Sequence, residues 1–244
     1  MLKKCSSCGH VFERYQLTLD RYINVLGRAD PYSREKLVSD GELVNHRDVY
    51  LKKYGYLKTE FKEKGVNTFL DSSCSFGHLI DFLHPQARGI GIEPERYTIR
   101  RGQMFYPTIA DKLLPVGFEK ISQELLHDLL LVKQIDAILF SACFRQLQDP
   151  EKALKIIDAV VSPGGYVFIT EGIVPQDSNL RQRYEQIDPG YIAEKEHLQL
   201  KQHYLTEKDF DTLFERISFS RLGNPYTREI DGHFLTTVTY SRTS

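Results

Sequence analysis

The chain has 244 residues, 41% hydrophobic and 27% charged, with a formal net charge of −1, which suits one substantial core plus a small appendage, since domains commonly run to about 100–200 residues. That charge balance excludes a general attraction to polyanions, and no apolar run reaches the roughly 20 residues needed to span a bilayer, so neither a nucleic-acid nor a membrane partner is expected. The start, Met1-Leu2-Lys3-Lys4-Cys5, lacks the apolar segment of an export signal, so Cys5, Cys8, Cys74 and Cys143 are expected as thiols in a reducing, cytoplasmic setting.

Residues 1–64 carry few strand signals. Leu51, Tyr54, Leu57 and Phe61 recur at helical spacing, which predicts a helical extension leading into the core. Ahead of it, Cys5-Ser6-Ser7-Cys8-Gly9-His10 has the spacing at which two thiolates bind one tetrahedral ion. A structural zinc on Cys5 and Cys8 needs four ligands and there is no second CxxC, so His10, His46 or a second chain would complete the set. The alternative is a knuckle without metal.

From 65 to 172, short apolar runs alternate with amphipathic stretches, the pattern of βα units that build a parallel sheet. Strands are predicted at Val66 to Leu70, Ala87 to Glu93, Phe118 to Ile121, Ile135 to Ala142 and Tyr166 to Thr170. Helices are predicted through Leu79 to Leu83, Glu95 to Phe105, Gln123 to Leu131 and Pro150 to Val161. Ser162-Pro163-Gly164-Gly165 reads as a tight turn, because Pro fixes φ and Gly permits positive φ.

The polar stretch 175–204 is read as a cover over the site. Thr206 to Arg216 comes next as a helix with Thr206 as cap and Asp209 three residues on. Strands at Ile217 to Leu222 and Phe234 to Ser241 are joined by a turn-rich link with Asn224, Pro225, Asp231 and Gly232. The division expected is an extension over 1–64 and a main domain over 65–244.

Three segments of the main domain carry a family resemblance. Phe69-Leu70-Asp71-Ser72-Ser73-Cys74-Ser75-Phe76-Gly77-His78-Leu79 resembles the first motif of class I S-adenosylmethionine-dependent methyltransferases, an apolar strand, an acidic residue and then alternate glycines. Asp71 stands at the acidic position and Gly77 at the last glycine, with Ser73 and Ser75 in place of the first two. Gly89-Ile90-Gly91-Ile92-Glu93-Pro94 matches the second strand, whose terminal acid accepts hydrogen bonds from both ribose hydroxyls. Asp136 to Leu147, then Asp149-Pro150 and Pro163-Gly164-Gly165, resemble the family's fourth strand, its post-strand loop and the hairpin before the fifth strand, with Gln146 where many members have His.

The resemblance implies a Rossmann-like seven-stranded α/β sheet, mostly parallel with an antiparallel C-terminal strand. It implies S-adenosylmethionine as cofactor, held by Asp71, Ser72, Ser73, Gly77, Glu93, Pro94, Ser122, Ser141, Ala142 and Phe144. Cys74 is read as packing. His203, with an unperturbed pKa near neutrality, is the candidate general base, ahead of Tyr184, Tyr191 and His197.

Methyl transfer to a small-molecule acceptor, a sugar or another metabolite, is the function implied, since some family members that methylate sugars carry an N-terminal zinc-binding segment. Two alternatives stand beside it. One is a non-catalytic binding or scaffolding member of the fold; the other is a nicotinamide-dependent dehydrogenase, which the turn disfavours because it has no GxGxxG.

Overall fold

In the computed structural model, residues 2–4, 11–13, 39–147, 149–171, 203–204, 206–230 and 233–243 are described. Buried parallel strands need apolar side chains on both faces, and the near-continuous apolar runs supply them. Strands β3 (Thr68–Asp71), β4 (Arg88–Ile92), β5 (Leu113–Leu114), β6 (Ile135–Ser141) and β7 (Val161–Glu171) pair in parallel. The order across the sheet is β10-β11-β7-β6-β3-β4-β5. Strand β11 (His233–Arg242) runs antiparallel to β7, from Thr236 opposite Glu171 to Ser241 opposite Tyr166. Its other edge takes β9 (Phe219–Arg221) and β10 (Tyr226–Ile230), both antiparallel to it.

Alternation along the strands divides the core in two. Phe69, Ala137, Leu139 and Phe168 pack with Tyr54, Leu57, Phe61, Leu79 and Leu83. Leu70, Ile138, Phe140, Val167 and Ile169 pack with Leu126, Leu154, Ile157, Phe210 and Phe214. The first face is covered by α1 (Asp40–Tyr54), α2 (Leu57–Lys64) and α3 (His78–Leu83), with α4 (Arg96–Phe105) contributing Ile99. The second is covered by α5 (Gln123–Leu130), α6 (Pro150–Val160) and α7 (Glu207–Glu215).

Side chains that bond orphan amides fix several helix starts. Ser39 with Glu42 and Thr206 with Asp209 form reciprocal capping boxes, and Asp149 caps α6 ahead of Pro150.

Three local expectations are corrected. Phe118–Lys120 is a 3₁₀ turn, because Leu113 and Leu114 already occupy the edge of β4 opposite Gly91 and Ile92. Phe118 instead packs against Phe140, ring centroids 5.1 Å apart. The expected turn at Ser162 to Gly165 lies inside β7 as a bulge: Val161 pairs with Ile135 and Tyr166 with Ala137, while Gly164 takes φ +74° between them. The link between the last two predicted strands contains a third, β10, which forms a hairpin with β11.

A separate three-stranded sheet joins β1 (Leu2–Lys4), β2 (Val11–Glu13) and β8 (His203–Tyr204), with Val11 opposite Tyr204 and Phe12 opposite His203. Cys5, Cys8 and His10, and the stretch 175–202 with Tyr184, Tyr191 and His197, lie outside the described residues.

Candidate functional site

The sheet order reverses at β3, which has β4 on one side and β6 on the other. Such a switch point leaves a crevice at the carboxyl ends of the strands, where open α/β sheets bind ligands. The chain leaving β3 spans that crevice. The Ser72 amide donates to the Leu139 carbonyl of β6 at 3.0 Å, and the Cys74 amide donates to the Ile92 carbonyl of β4 at 3.0 Å. Gly77 then donates to the Cys74 carbonyl at 2.8 Å and opens α3.

Backbone geometry explains which glycines the turn retains. Gly77 has φ +88°, and a Cβ there would lie 2.7 Å from Leu113 Cδ2. Of the two serines, only Ser75 sits in the left-handed region, at φ +50°; Ser73 does not. A serine is therefore free of strain at the first substituted position and strained at the second. Across the crevice, Gly91 of β4 lets the turn approach, since a Cβ there would lie 2.7 Å from Cys74 Sγ. Cys74 itself is fully buried, and burial pushes its thiol up.

Asp71 is the electrostatic centre of the site. It is fully buried, and among the described residues neither carboxylate oxygen has a well-formed hydrogen bond. Burial raises its pKa to about 7; the Ser73 backbone amide opposes the rise and the Glu93 charge adds to it. Glu93, just past the end of β4, is half-buried and followed by the half-buried Pro94. Its Oε2 accepts from Ser73 Oγ at 3.4 Å and its Oε1 from the Glu95 amide at 3.2 Å. One acidic side chain is thus starved of donors while the other stands at the mouth of the same crevice.

On the β6 side, Ser141 is buried at 8% exposure, and Ala142 turns the chain at φ +60° with its amide on the Thr170 carbonyl. Ser72 Oγ and Cys143 Sγ lie 3.1 Å apart. Asp71, Ser72, Ser73, Gly77, Glu93, Pro94, Ser141 and Ala142 therefore share one strand-end neighbourhood.

Two expected ligands have their side chains engaged within the protein. Phe144 is fully buried with its ring against Phe140, Phe210 and Phe214, because its own short 3₁₀ turn aims it into the core. Ser122 spends its hydroxyl capping α5, accepting from the Leu125 amide at 3.3 Å. His203 lies on β8, and its side chain is outside the described part of the chain.

Several residues at the site went unread in the sequence. Tyr50 donates to the Ser73 carbonyl at 3.4 Å, and burial together with the Asp71 charge holds its hydroxyl far above the usual range. Tyr54, one helical turn later, is buried and raised first by burial and then by Cys143 and Asp71. Glu171 is fully buried at the end of β7. His78, immediately after Gly77, is 1% exposed. The usable signal was the i, i+4, i+8 series His46, Tyr50, Tyr54, a polar-aromatic stripe on a helix whose spacing alone suggests plain packing.

Among the described residues, no three or more His, Cys, Asp or Glu side chains come together to hold a metal, and no helix is long and apolar enough to cross a membrane.

Known proteins resemble the chain in fold. A family model described as a methyltransferase domain matches residues 45–221. No curated protein matches the chain significantly in sequence. Among solved structures, the chain is similar to 1,6-didemethyltoxoflavin-N1-methyltransferase from Burkholderia thailandensis, solved with 1,6-didemethyltoxoflavin and S-adenosylhomocysteine, at TM-score 0.56 and 13% identity over 98% of each chain. Magnesium protoporphyrin IX methyltransferase from Synechocystis PCC 6803, with bound S-adenosylhomocysteine, matches at TM-score 0.55 and 11% identity, covering 92% of this chain and 94% of that one. The YcgJ protein of Bacillus subtilis matches at TM-score 0.58 and 10% identity, covering 79% and 99%.

Proposed function

Because the chain belongs to the methyltransferase-domain family, within the class I S-adenosylmethionine-dependent superfamily, we propose that it transfers a methyl group from S-adenosylmethionine to a small-molecule acceptor, a sugar or another metabolite. The observation that carries this reading is Asp71, a buried carboxylate that, among the described residues, has only a weak contact from the Ser73 amide and no well-formed hydrogen bond on either oxygen. A buried charge without a partner is costly, and a ligand bearing an ammonium and a sulfonium supplies the missing positive charge. Glu93 stands one strand away, where its carboxylate suits a ribose diol.

The donor supplies an activated methyl group on a good leaving group. The work left to the chain is to bind, orient and exclude water. Asp71 holds the cationic end, the Ser72 and Ser73 hydroxyls and the start of α3 line the turn, and Glu93 with Pro94 takes the nucleoside. Ser141 and Ala142 line the cofactor pocket from the β6 side. We assign the stretch 175–202 to acceptor choice and His203 to proton removal from an acceptor that must lose one. Support for a small acceptor comes from the Burkholderia thailandensis neighbour, solved with one bound, and from the chain's near-neutral charge.

Titration calorimetry with S-adenosylmethionine and S-adenosylhomocysteine tests the reading. Binding of both in the micromolar range is expected. No heat from either at millimolar concentration would overturn it.

A further inference from the structure

The cofactor turn contains a residue in the region that favours glycine, and one helix outside the sheet grips the turn on both sides of it. Ser75, at φ +50°, has a Cβ in a conformation that L residues rarely adopt. Within the turn, the bond between the Gly77 amide and the Cys74 carbonyl closes over this residue. β6 and β4 hold the start of the turn through the Ser72 and Cys74 amides, and α1 adds contacts on both sides of Ser75. Tyr50 Oη donates to the Ser73 carbonyl at 3.4 Å, two residues before Ser75.

One helical turn earlier on α1, His46 Nδ1 lies 2.9 Å from His78 Nε2, three residues after Ser75. The other nitrogen of His78 is held by Tyr106 Oη at 2.7 Å. His46 also meets the Phe76 ring edge-on at 5.2 Å between centroids and stacks with Tyr50 at 6.0 Å.

The histidine pair has a definite chemistry. Burial, with the charges of His46 and Arg47, brings the His78 pKa down to about 3, and burial with Lys53 lowers that of His46. Both rings are therefore neutral at neutral pH, each with one donor and one acceptor. Tyr106, His78 and His46 form a chain that runs in one of two concerted directions, and either direction fixes the orientation of all three rings. Leu43 and Tyr54 already anchor α1 by apolar burial, so this polar chain adds orientation to a helix that is held without it.

We propose that the His46–Tyr50 face of α1 is a clamp that holds the serine-substituted turn in its cofactor-binding shape. His46, Tyr50 and His78 are then positioning residues that act through the turn. The proposal rests on the turn being the cofactor site. It accounts for how a turn with serine at a left-handed position keeps the conformation that glycine adopts freely.

The test combines clamp variants with relief of the strain. Tyr50→Phe and His46→Ala are made alone and together with Ser75→Gly; His46→Asn keeps a donor and an acceptor near Nδ1. Two quantities are read: hydrogen exchange of the 72–78 segment in cofactor-free protein, and affinity for S-adenosylhomocysteine. Each clamp variant is expected to speed exchange of the turn and weaken binding about 3- to 10-fold, the scale of one lost hydrogen bond. His46→Asn recovers most of the loss, and in the Ser75→Gly background the penalty falls below about 2-fold.

Equal penalties with and without Ser75→Gly, or unchanged exchange in Tyr50→Phe, overturn the clamp. Tyr50→Phe removes a single oxygen, one that also meets Ser141, so its effect on exchange of the turn decides the matter even where His46→Ala does not fold. Failure of the unaltered protein to bind S-adenosylhomocysteine overturns the cofactor reading instead, and the exchange data still judge the clamp.

Discussion

Replacing Asp71 by asparagine removes the charge while keeping the shape, and the outcome is calculable from its surroundings. Burial raises the pKa of this carboxyl from 3.8 to about 7, and each pKa step corresponds to about 1.4 kcal/mol. Keeping the group buried therefore costs on the order of 4 kcal/mol once the pH exceeds 7. The amide that replaces it is itself a buried polar group without ready partners, which gives back about 1–3 kcal/mol. The net expectation at pH 8 is that Asp71→Asn is more stable by about 1–3 kcal/mol, or a Tm higher by about 2–10 °C.

The sign has a pH signature. A carboxyl with a raised folded-state pKa loses its relative stability as pH rises from 3.8 through about 7. The variant should therefore be less stable by about 1–3 kcal/mol near pH 4, where only the amide's penalty counts, gain steadily up to pH 7 and then level off. Denaturant titrations at pH 4, 6 and 8, with calorimetry of S-adenosylhomocysteine beside them, read both effects. Binding should weaken at least about 10-fold, since charge-assisted hydrogen bonds carry roughly 1.5–3 kcal/mol. A pH-independent stability difference, or undiminished binding, refutes the reasoning.

Other consequences come from the same geometry. Because the ligand's ammonium favours the ionised form of Asp71, S-adenosylhomocysteine should release a proton on binding near pH 6.5, measurable as a dependence of calorimetric heat on buffer ionisation enthalpy; no dependence contradicts the assignment. Glu93→Gln should weaken the same ligand by about 1–3 kcal/mol while leaving the unliganded Tm nearly unchanged, and unaltered affinity would remove Glu93 from the site. Gly91→Ala places a Cβ 2.7 Å from Cys74 Sγ and should cost about 1–3 kcal/mol of stability, so an unchanged Tm would show that the turn does not press on β4. His78 has a folded pKa of about 3 against 6.5, so its contribution is full above pH 6.5 and is lost as pH falls toward 3. His78→Gln should flatten that part of the acid unfolding curve.

The succession of βα units was legible in the sequence because most buried strands are short apolar runs followed by a helix start. The ends of those strands were legible too, since Asp71, Glu93 and Ser141 mark where apolar character stops. Phe118 misled because a ring with Val116 and Ile121 close by fits a strand as well as it fits a plug under Phe140; only knowing that Leu113 and Leu114 hold the sheet edge separates the two. Tyr226 to Ile230 was hidden by turn residues on both sides, although its alternation suits a strand. Phe144 was placed by its position after β6, and the rotation of the 3₁₀ turn there, which sends its ring into the core, is not encoded locally. The α1 stripe escaped notice because its partners lie 23 and 32 residues away, and spacing along one helix says nothing about what it faces. Ser75 and Ser73 look equivalent in sequence, and only the backbone dihedral distinguishes them.

The most direct test of the central claim is a crystal structure of the protein with S-adenosylhomocysteine at saturating concentration. The nucleoside is expected in the crevice between β3 and β4, with its ribose hydroxyls on the Glu93 carboxylate and its ammonium at Asp71. A ligand bound elsewhere on the chain, or a crevice without density for it, would contradict the account.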